Sequence, residues 1–320
     1  MMETPLTTLV FPLNVYAEAL RLEYGAVDSL HLGLMESGDA SLARAQARAT
    51  ERLLALLPPP PCRVLEVGIG LGKTFERLSR SGYEVTGVTP DHQQIKAVQN
   101  RAGGAGRLIC TRFEDMEAAS PSFDVVLFQE SAQYIQPAER LLLDSARHLA
   151  PHGTVAGMDE FPLTKLKRLR EILPDTGLVA EELTDLTRQA CDSCAHLIEL
   201  IDRHGPRLAR ELARATLLDG LLIAFREFDQ LSPADRAAVS DEELAAFCAI
   251  IGYLTAARGK SSGGATLAAE LLERERAHWL ADERLARMII AGVAATWRAR
   301  YRHYLEGSWR YVLFKLRKTG

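Results

Sequence analysis

One run of residues constrains this chain more than any other: Val64-Leu65-Glu66-Val67-Gly68-Ile69-Gly70-Leu71-Gly72-Lys73-Thr74. An apolar strand pattern runs into three glycines at alternate positions, and a helical pattern follows. Glycine lets the backbone turn sharply and lets a ligand come within contact distance. The start of the following helix favours a negatively charged group. Two familiar loops are excluded by spacing. A phosphate loop, GxxxxGK followed by Ser or Thr, would need glycine at Val67, and the chain supplies it one residue late, at Gly68. A dinucleotide loop, GxGxxG, would need its third glycine one residue beyond Gly72.

The surroundings of this loop repeat its logic. Strand-like runs at Arg63–Gly68, Glu84–Val88, Arg107–Thr111, Asp124–Gln129 and Thr154–Met158 alternate with helical patterns at Lys73–Ser81, His92–Arg101 and Pro137–Leu149. That alternation predicts an α/β fold with a parallel sheet covered on both faces. Before it lie two amphipathic segments, near Pro12–Tyr24 and Ala40–Leu57, closed off by Pro58–Pro61. After it, Asp185–Gly307 reads as almost entirely helical, with breaks at Ser232-Pro233 and Ser261–Gly264, and a last β-prone stretch spans Ser308–Lys318. The expected organisation is therefore a helical segment at 1–57, a ligand-binding α/β domain at 58–184, a helical block at 185–307 and a final strand of the core sheet at 308–320.

Composition narrows the partners. A net charge of -4, with 47% hydrophobic and 25% charged residues, fits a globular protein and offers no basic excess for nucleic acid. No run of about 18 uncharged apolar residues predicts a membrane span, no leader-like N-terminus is visible, and the cysteine usage makes a reducing cytoplasm the expected location. Five scattered cysteines give no disulfide framework. The single CxxC, Cys191–Cys194, lacks a second ligand pair, so no metal is expected and the two thiols read as small residues at a helix start.

A GxGxG loop preceded by Glu66 suits S-adenosylmethionine, and four stretches together resemble the class I methyltransferases that use it. The likeness is greatest to the branch holding cyclopropane fatty acid synthases, mycolic acid methyltransferases and tocopherol methyltransferases. Glu66–Gly72 resembles the first motif. Gly87-Val88-Thr89-Pro90-Asp91-His92-Gln93-Gln94 resembles a GVTLSxxQ segment. Phe123–Ser131 resembles FDxVxxxES, and Glu36–Gln46 resembles an ExxDxSLxxAQ helix entry. The resemblance covers roughly Leu30 to Gly157. It implies a doubly wound Rossmann-like methyltransferase sheet, with an N-terminal helical segment and a large helical insertion, a lid, before the last strand. It also implies that Glu66, Gly68, Gly70 and Gly72 hold the methionine end of the cofactor, Thr89 and Gln94 the ribose, and Phe113 and Glu114 the adenine, with Gln129 beside them.

The branch's catalytic pattern is not kept. A Cys ligand of bicarbonate falls at Leu32, a Glu-His pair falls at Gln133-Tyr134, and no His follows the fifth strand, which reads Ala156-Gly157-Met158-Asp159-Glu160. Cyclopropanation is therefore not expected. The candidates for chemistry at the mouth are Glu130, Tyr134 and Asp159, with Glu160 and His31 behind them, and Tyr16 and Tyr24 on a helix able to close over the site. The expected reaction is transfer of a methyl group to a small, apolar or biosynthetic-intermediate acceptor. The alternatives are transfer or cyclisation of the aminocarboxypropyl group, releasing methylthioadenosine, and a non-catalytic S-adenosylmethionine-binding subunit.

Overall fold

The computed structural model describes residues 9, 13–39, 41–102, 106–117, 123–215 and 284–319. The breaks expected at Ser232-Pro233 and Ser261–Gly264 lie outside them. The chain divides into two compact units, one made of Met1–Val27 with Ala195–Arg302, the other of Asp28–Cys194 with His303–Gly320. The second unit thus holds the sheet together with the segment from Asp28 to Leu57.

Seven strands form one sheet among the described residues: β1 Arg63–Val67, β2 Glu84–Thr89, β3 Arg107–Cys110, β4 Phe123–Gln129, β5 Leu149–Pro162, β6 Leu178–Asp185 and β7 Trp309–Lys318. Their order is β3-β2-β1-β4-β5-β7-β6. The first five are parallel, and β7 enters antiparallel between β5 and β6. Chain order reverses at β1 and β4, so a crevice opens above their carboxyl ends, where open α/β sheets bind ligands.

Among the described residues the α-helices are α1 Leu13–Tyr24, α2 Leu42–Leu54, α3 Lys73–Arg80, α4 His92–Ala102, α5 Ala138–His148, α6 Leu163–Ile172, α7 Thr187–Ala215 and α8 Arg284–Leu305. Ser41 caps α2, its hydroxyl accepting the Arg44 N–H at 3.4 Å. β1 and β4 are buried because their Val, Leu and Phe side chains face helices on both sides. The core gathers Leu65, Val67, Phe128, Val155, Phe161 and Phe314.

Two elements were not expected from sequence: α6 and β6. β6 is an edge strand that buries only Leu178 and leaves the apolar Val179 and Leu183 exposed. It is held by the ladder to β7 and by Glu181, which pairs with Lys315 and Arg317 across it. Such a strand carries no apolar period to read.

In the first unit, Tyr16 packs on Trp297 with ring centroids 5.7 Å apart, and the Tyr24 hydroxyl lies 3.0 Å from His196 Nε2. Among the described residues, no helix is long and apolar enough to cross a membrane, and no group of three or more His, Cys, Asp or Glu could hold a metal ion.

Candidate active site

The glycine loop forms the floor of the crevice. Gly68, Gly70 and Gly72 all have positive φ (76°, 51° and 77°), a region costly for side-chain-bearing residues. At Gly68 a Cβ would also strike Ser131, and at Gly72 it would strike Val98. At Gly70 a Cβ would meet nothing within 4 Å, so the middle of the loop opens into free space. Ser131 closes the other side, donating to the Val67 carbonyl at 2.5 Å.

Glu66 sits two residues before this loop, 3% exposed, and its Oε2 has no hydrogen-bond partner. Burial alone pushes its carboxyl up to about 8. A buried acid without a partner beside an open glycine cradle fits a ligand that brings a positive charge, as the ammonium of S-adenosylmethionine would. At the end of β2, the Thr89 hydroxyl donates to Gln94 Oε1 at 2.9 Å and accepts the Asp91 N–H at 3.2 Å. Asp91 in turn accepts the N–H of Gln93 at 2.7 Å, which starts α4. Thr89 and Gln94 are thus fixed side by side.

Beyond β3 the picture differs from expectation. The Phe113 ring is 3% exposed and packs edge-on against Phe128 and beside His148. It serves the core, and only its backbone reaches the turn at residues 113–115. The Glu114 carboxylate accepts from Arg112 at 2.9 Å and from the Gln136 N–H at 3.3 Å, and these bonds hold it below the usual carboxylate range although burial opposes them.

The end of β4 is the most constrained point of the site. Gln129 accepts from Thr74 at 2.9 Å and donates to Thr50 at 3.0 Å. Thr50 Oγ1 lies 3.2 Å from His31 Nε2, and His31 Nδ1 lies 2.8 Å from the Leu32 carbonyl. Burial lowers the His31 pKa to about 4, so the imidazole is neutral, with Nδ1 as donor and Nε2 as acceptor. Glu130 follows with φ 53°, unusual for a residue with a side chain, and such strain persists where surroundings enforce it. Its Oε1 accepts the Leu32 N–H and the Tyr311 hydroxyl, each at 2.6 Å.

These bonds reveal a strap that sequence reasoning did not find as a unit. Residues 29–34 are fixed by Gln46, which donates to the carbonyls of Ser29 and His31, by Ser193, which accepts the Gly33 N–H at 2.8 Å, and by Arg48 on the Leu34 carbonyl. The motif Glu36–Gln46 thus starts α2 and anchors the strap through Gln46.

Asp159 and Tyr134 occupy opposite situations. Asp159 is wholly buried, and its Oδ2 accepts the N–H groups of Ala132 and Gln133 at 2.5 and 3.3 Å. Burial and the neighbouring Glu160 raise it to about 7. The carbonyls of the same turn are gripped by Lys165, whose ammonium donates to Ala132, Gln133 and Ile135 at 2.8–3.1 Å. Asp159 therefore braces the turn from beneath. Tyr134, carried by that turn, is 64% exposed. Glu160 is buried and accepts from Tyr304. Lys165, Thr50 and Tyr311 escaped sequence reasoning because each reaches its partner from a distant element.

A glycine cradle at the switch point of a doubly wound sheet, with an unpartnered acid at its start, is the arrangement that the resemblance to class I methyltransferases implies. Residues 65–157 match the family model described as a methyltransferase domain. Among curated relatives, the chain is similar to a 27-O-demethylrifamycin SV methyltransferase of Amycolatopsis mediterranei (strain S699), 30% identical over 150 residues that cover 45% of this chain and 54% of that one. The chain spans about half of that relative's length. Solved structures agree in fold. The (4+2)-cyclase SpnF is 15% identical, with 99% of this chain and 97% of that one covered at a TM-score of 0.59. The geranyl diphosphate C-methyltransferase of Streptomyces coelicolor A3(2), solved with Mg2+, geranyl-S-thiolodiphosphate and S-adenosyl-L-homocysteine, is 14% identical, with 98% and 95% covered at a TM-score of 0.55.

Proposed function

We propose that the chain is an S-adenosylmethionine-dependent methyltransferase acting on a small organic acceptor, an apolar molecule or a biosynthetic intermediate. The observation that carries this reading is Glu130, a strained and doubly bonded carboxylate at the end of β4, beside a glycine loop that begins with the unpartnered Glu66. When bound, S-adenosylmethionine supplies an electrophilic methyl group on a sulfonium whose leaving group is a neutral thioether.

The protein's part is alignment and proton transfer. Glu66 and the backbone at Gly68, Gly70 and Gly72 hold the amino acid end of the cofactor. Thr89 and Gln94 hold the ribose, and the turn at Phe113 and Glu114 borders the adenine through its backbone. Gln129 spaces the glycine loop from the strap. Glu130 takes the proton the acceptor loses, a contribution of about 10²–10⁴ in rate. Tyr134 meets the acceptor at the rim. Asp159 holds the turn that carries Tyr134. The relatives' names, a rifamycin derivative and geranyl diphosphate, support an acceptor that is a small organic molecule.

Calorimetry with S-adenosylmethionine tests the first half, and no heat at millimolar ligand sinks the reading. Product analysis after incubation with panels of small hydroxylated, aminated and isoprenoid acceptors tests the second. S-adenosylhomocysteine is the expected product, and methylthioadenosine would mean that the aminocarboxypropyl carbon is transferred instead. Glu130→Gln, which keeps the size of the side chain, is expected to lower turnover about 10²-fold with cofactor affinity retained.

A further inference from the structure

Tyr311 is fully buried near the start of β7, and nothing in the sequence pointed to it. Its hydroxyl donates to Glu130 Oε1 across 181 residues of chain, and the Leu32 N–H donates to the same oxygen across 98. The Glu130 backbone is fixed separately, its N–H donating to the Met158 carbonyl at 2.9 Å. Backbone and carboxylate are therefore held by different elements: β5 for the first, and β7 with the strap for the second.

We propose that Tyr311 is a positioning residue, whose phenol orients the Glu130 carboxylate and keeps it ionised so that it can accept a proton. This rests on the assignment of Glu130 as the proton acceptor. Hydrogen bonds donated to a carboxylate favour its charged form. Other titratable groups stand nearby. On β5 stand Asp159, which acts on Tyr311, and Glu160, bonded by Tyr304 at the end of α8. On the strap stands His31, neutral and committed to Thr50 and the Leu32 carbonyl. The phenol and the Leu32 amide both donate to one oxygen of the Glu130 carboxylate, and both favour its charged form. The phenol itself is held well above its usual range by burial and by Glu130, so it stays a donor.

The test needs no acceptor. Infrared spectra of the full chain titrated with pH, minus those of Glu130→Gln, isolate the Glu130 carboxylate band. In Tyr311→Phe, which keeps the ring and removes only the hydroxyl, that band is expected to titrate at least about one pH unit higher. Equal melting temperatures and equal S-adenosylmethionine affinity by calorimetry show that the variant is folded. An unchanged midpoint overturns the proposal. Once an acceptor is in hand, Tyr311→Phe is expected to lower kcat about tenfold, move the acidic limb of the rate profile upward, and cost nothing further in the Glu130→Gln background. Additive losses in that cycle would likewise overturn it. Normal turnover by Glu130→Gln would instead refute the assignment of Glu130 as proton acceptor, a result the infrared titration does not depend on.

Discussion

Replacing Glu66 by Gln should change how stability depends on pH. Burial holds this carboxyl at about 8 against an ordinary 4.5. Below pH 4.5 the group is protonated in both the folded and unfolded chain and contributes nothing. Between 4.5 and 8 the unfolded chain ionises it while the fold keeps it protonated, so the fold loses stability as pH rises. Above 8 the loss is complete, on the order of 5 kcal/mol for a shift of this size. Gln carries no such titration, and any cost of its buried amide is the same at every pH. The difference in stability between wild type and Glu66→Gln should therefore move by at least about 2 kcal/mol in favour of the variant between pH 4.5 and 8.5. Urea unfolding followed by circular dichroism reads this directly. A difference that stays flat across the range would show that Glu66 is already paired and ionised in the fold, and the argument for a cation-bearing ligand at that position would fail with it. The same variant should bind S-adenosylmethionine more weakly, because the amide cannot balance the ligand's ammonium.

Gly70→Val should leave a folded protein, destabilised by about 1–2 kcal/mol through its positive φ, and should abolish cofactor binding in calorimetry, since its side chain enters the open space of the loop. Gly157→Ala should cost about 2–3 kcal/mol in urea unfolding, because a Cβ there would lie 2.1 Å from the Phe314 ring, at the junction of β5 and β7. His148 is 1% exposed with neither ring nitrogen bonded, so His148→Leu should stabilise the protein by about 1 kcal/mol at neutral pH. Burial lowers the His148 pKa, so the unfolded chain takes up the proton first. The wild type should therefore lose stability relative to His148→Leu as pH falls through about 6.5, and a constant difference between pH 7.5 and 5 would contradict the burial.

The glycine loop and the Thr89–Gln94 pair were legible as structure because their signals are local. Glu66 through Thr74 carry strand, turn and helix within nine residues, and Thr89 reaches Gln94 five residues on. The parallel strands were legible for a related reason, since β1 and β4 are buried on both faces and read as apolar runs. Phe113 shows the limit of that method. An aromatic residue after β3 suggested a surface for the adenine, but a sequence cannot say that Phe128 and His148 enclose the ring. β6 escaped because cross-strand ion pairs and backbone bonds hold it, and neither leaves a period.

The surroundings of Glu130 are built the other way, from pieces far apart in the chain, and this is why they are the harder part to read. Glu130 is bonded by Leu32 and Tyr311, and the turn after it is braced by Asp159 below and by Lys165 at its carbonyls. Each contact depends on a strand register that no local pattern states: Tyr311 comes to this end of the sheet because β7 pairs antiparallel with β5, placing it opposite Glu160. The same architecture serves a (4+2)-cyclase and a C-methyltransferase among solved structures, so the sheet fixes where a ligand goes and leaves the reaction to the groups around its carboxyl ends. In this chain those groups differ from the resembled branch where it keeps a Glu-His pair, since Gln133 and Tyr134 stand there instead. With Asp159 buried beneath the turn and Tyr134 turned outward, Glu130 is the carboxylate at the crevice whose setting has the marks of a working group: a backbone forced into an uncommon conformation, and two donors on one oxygen.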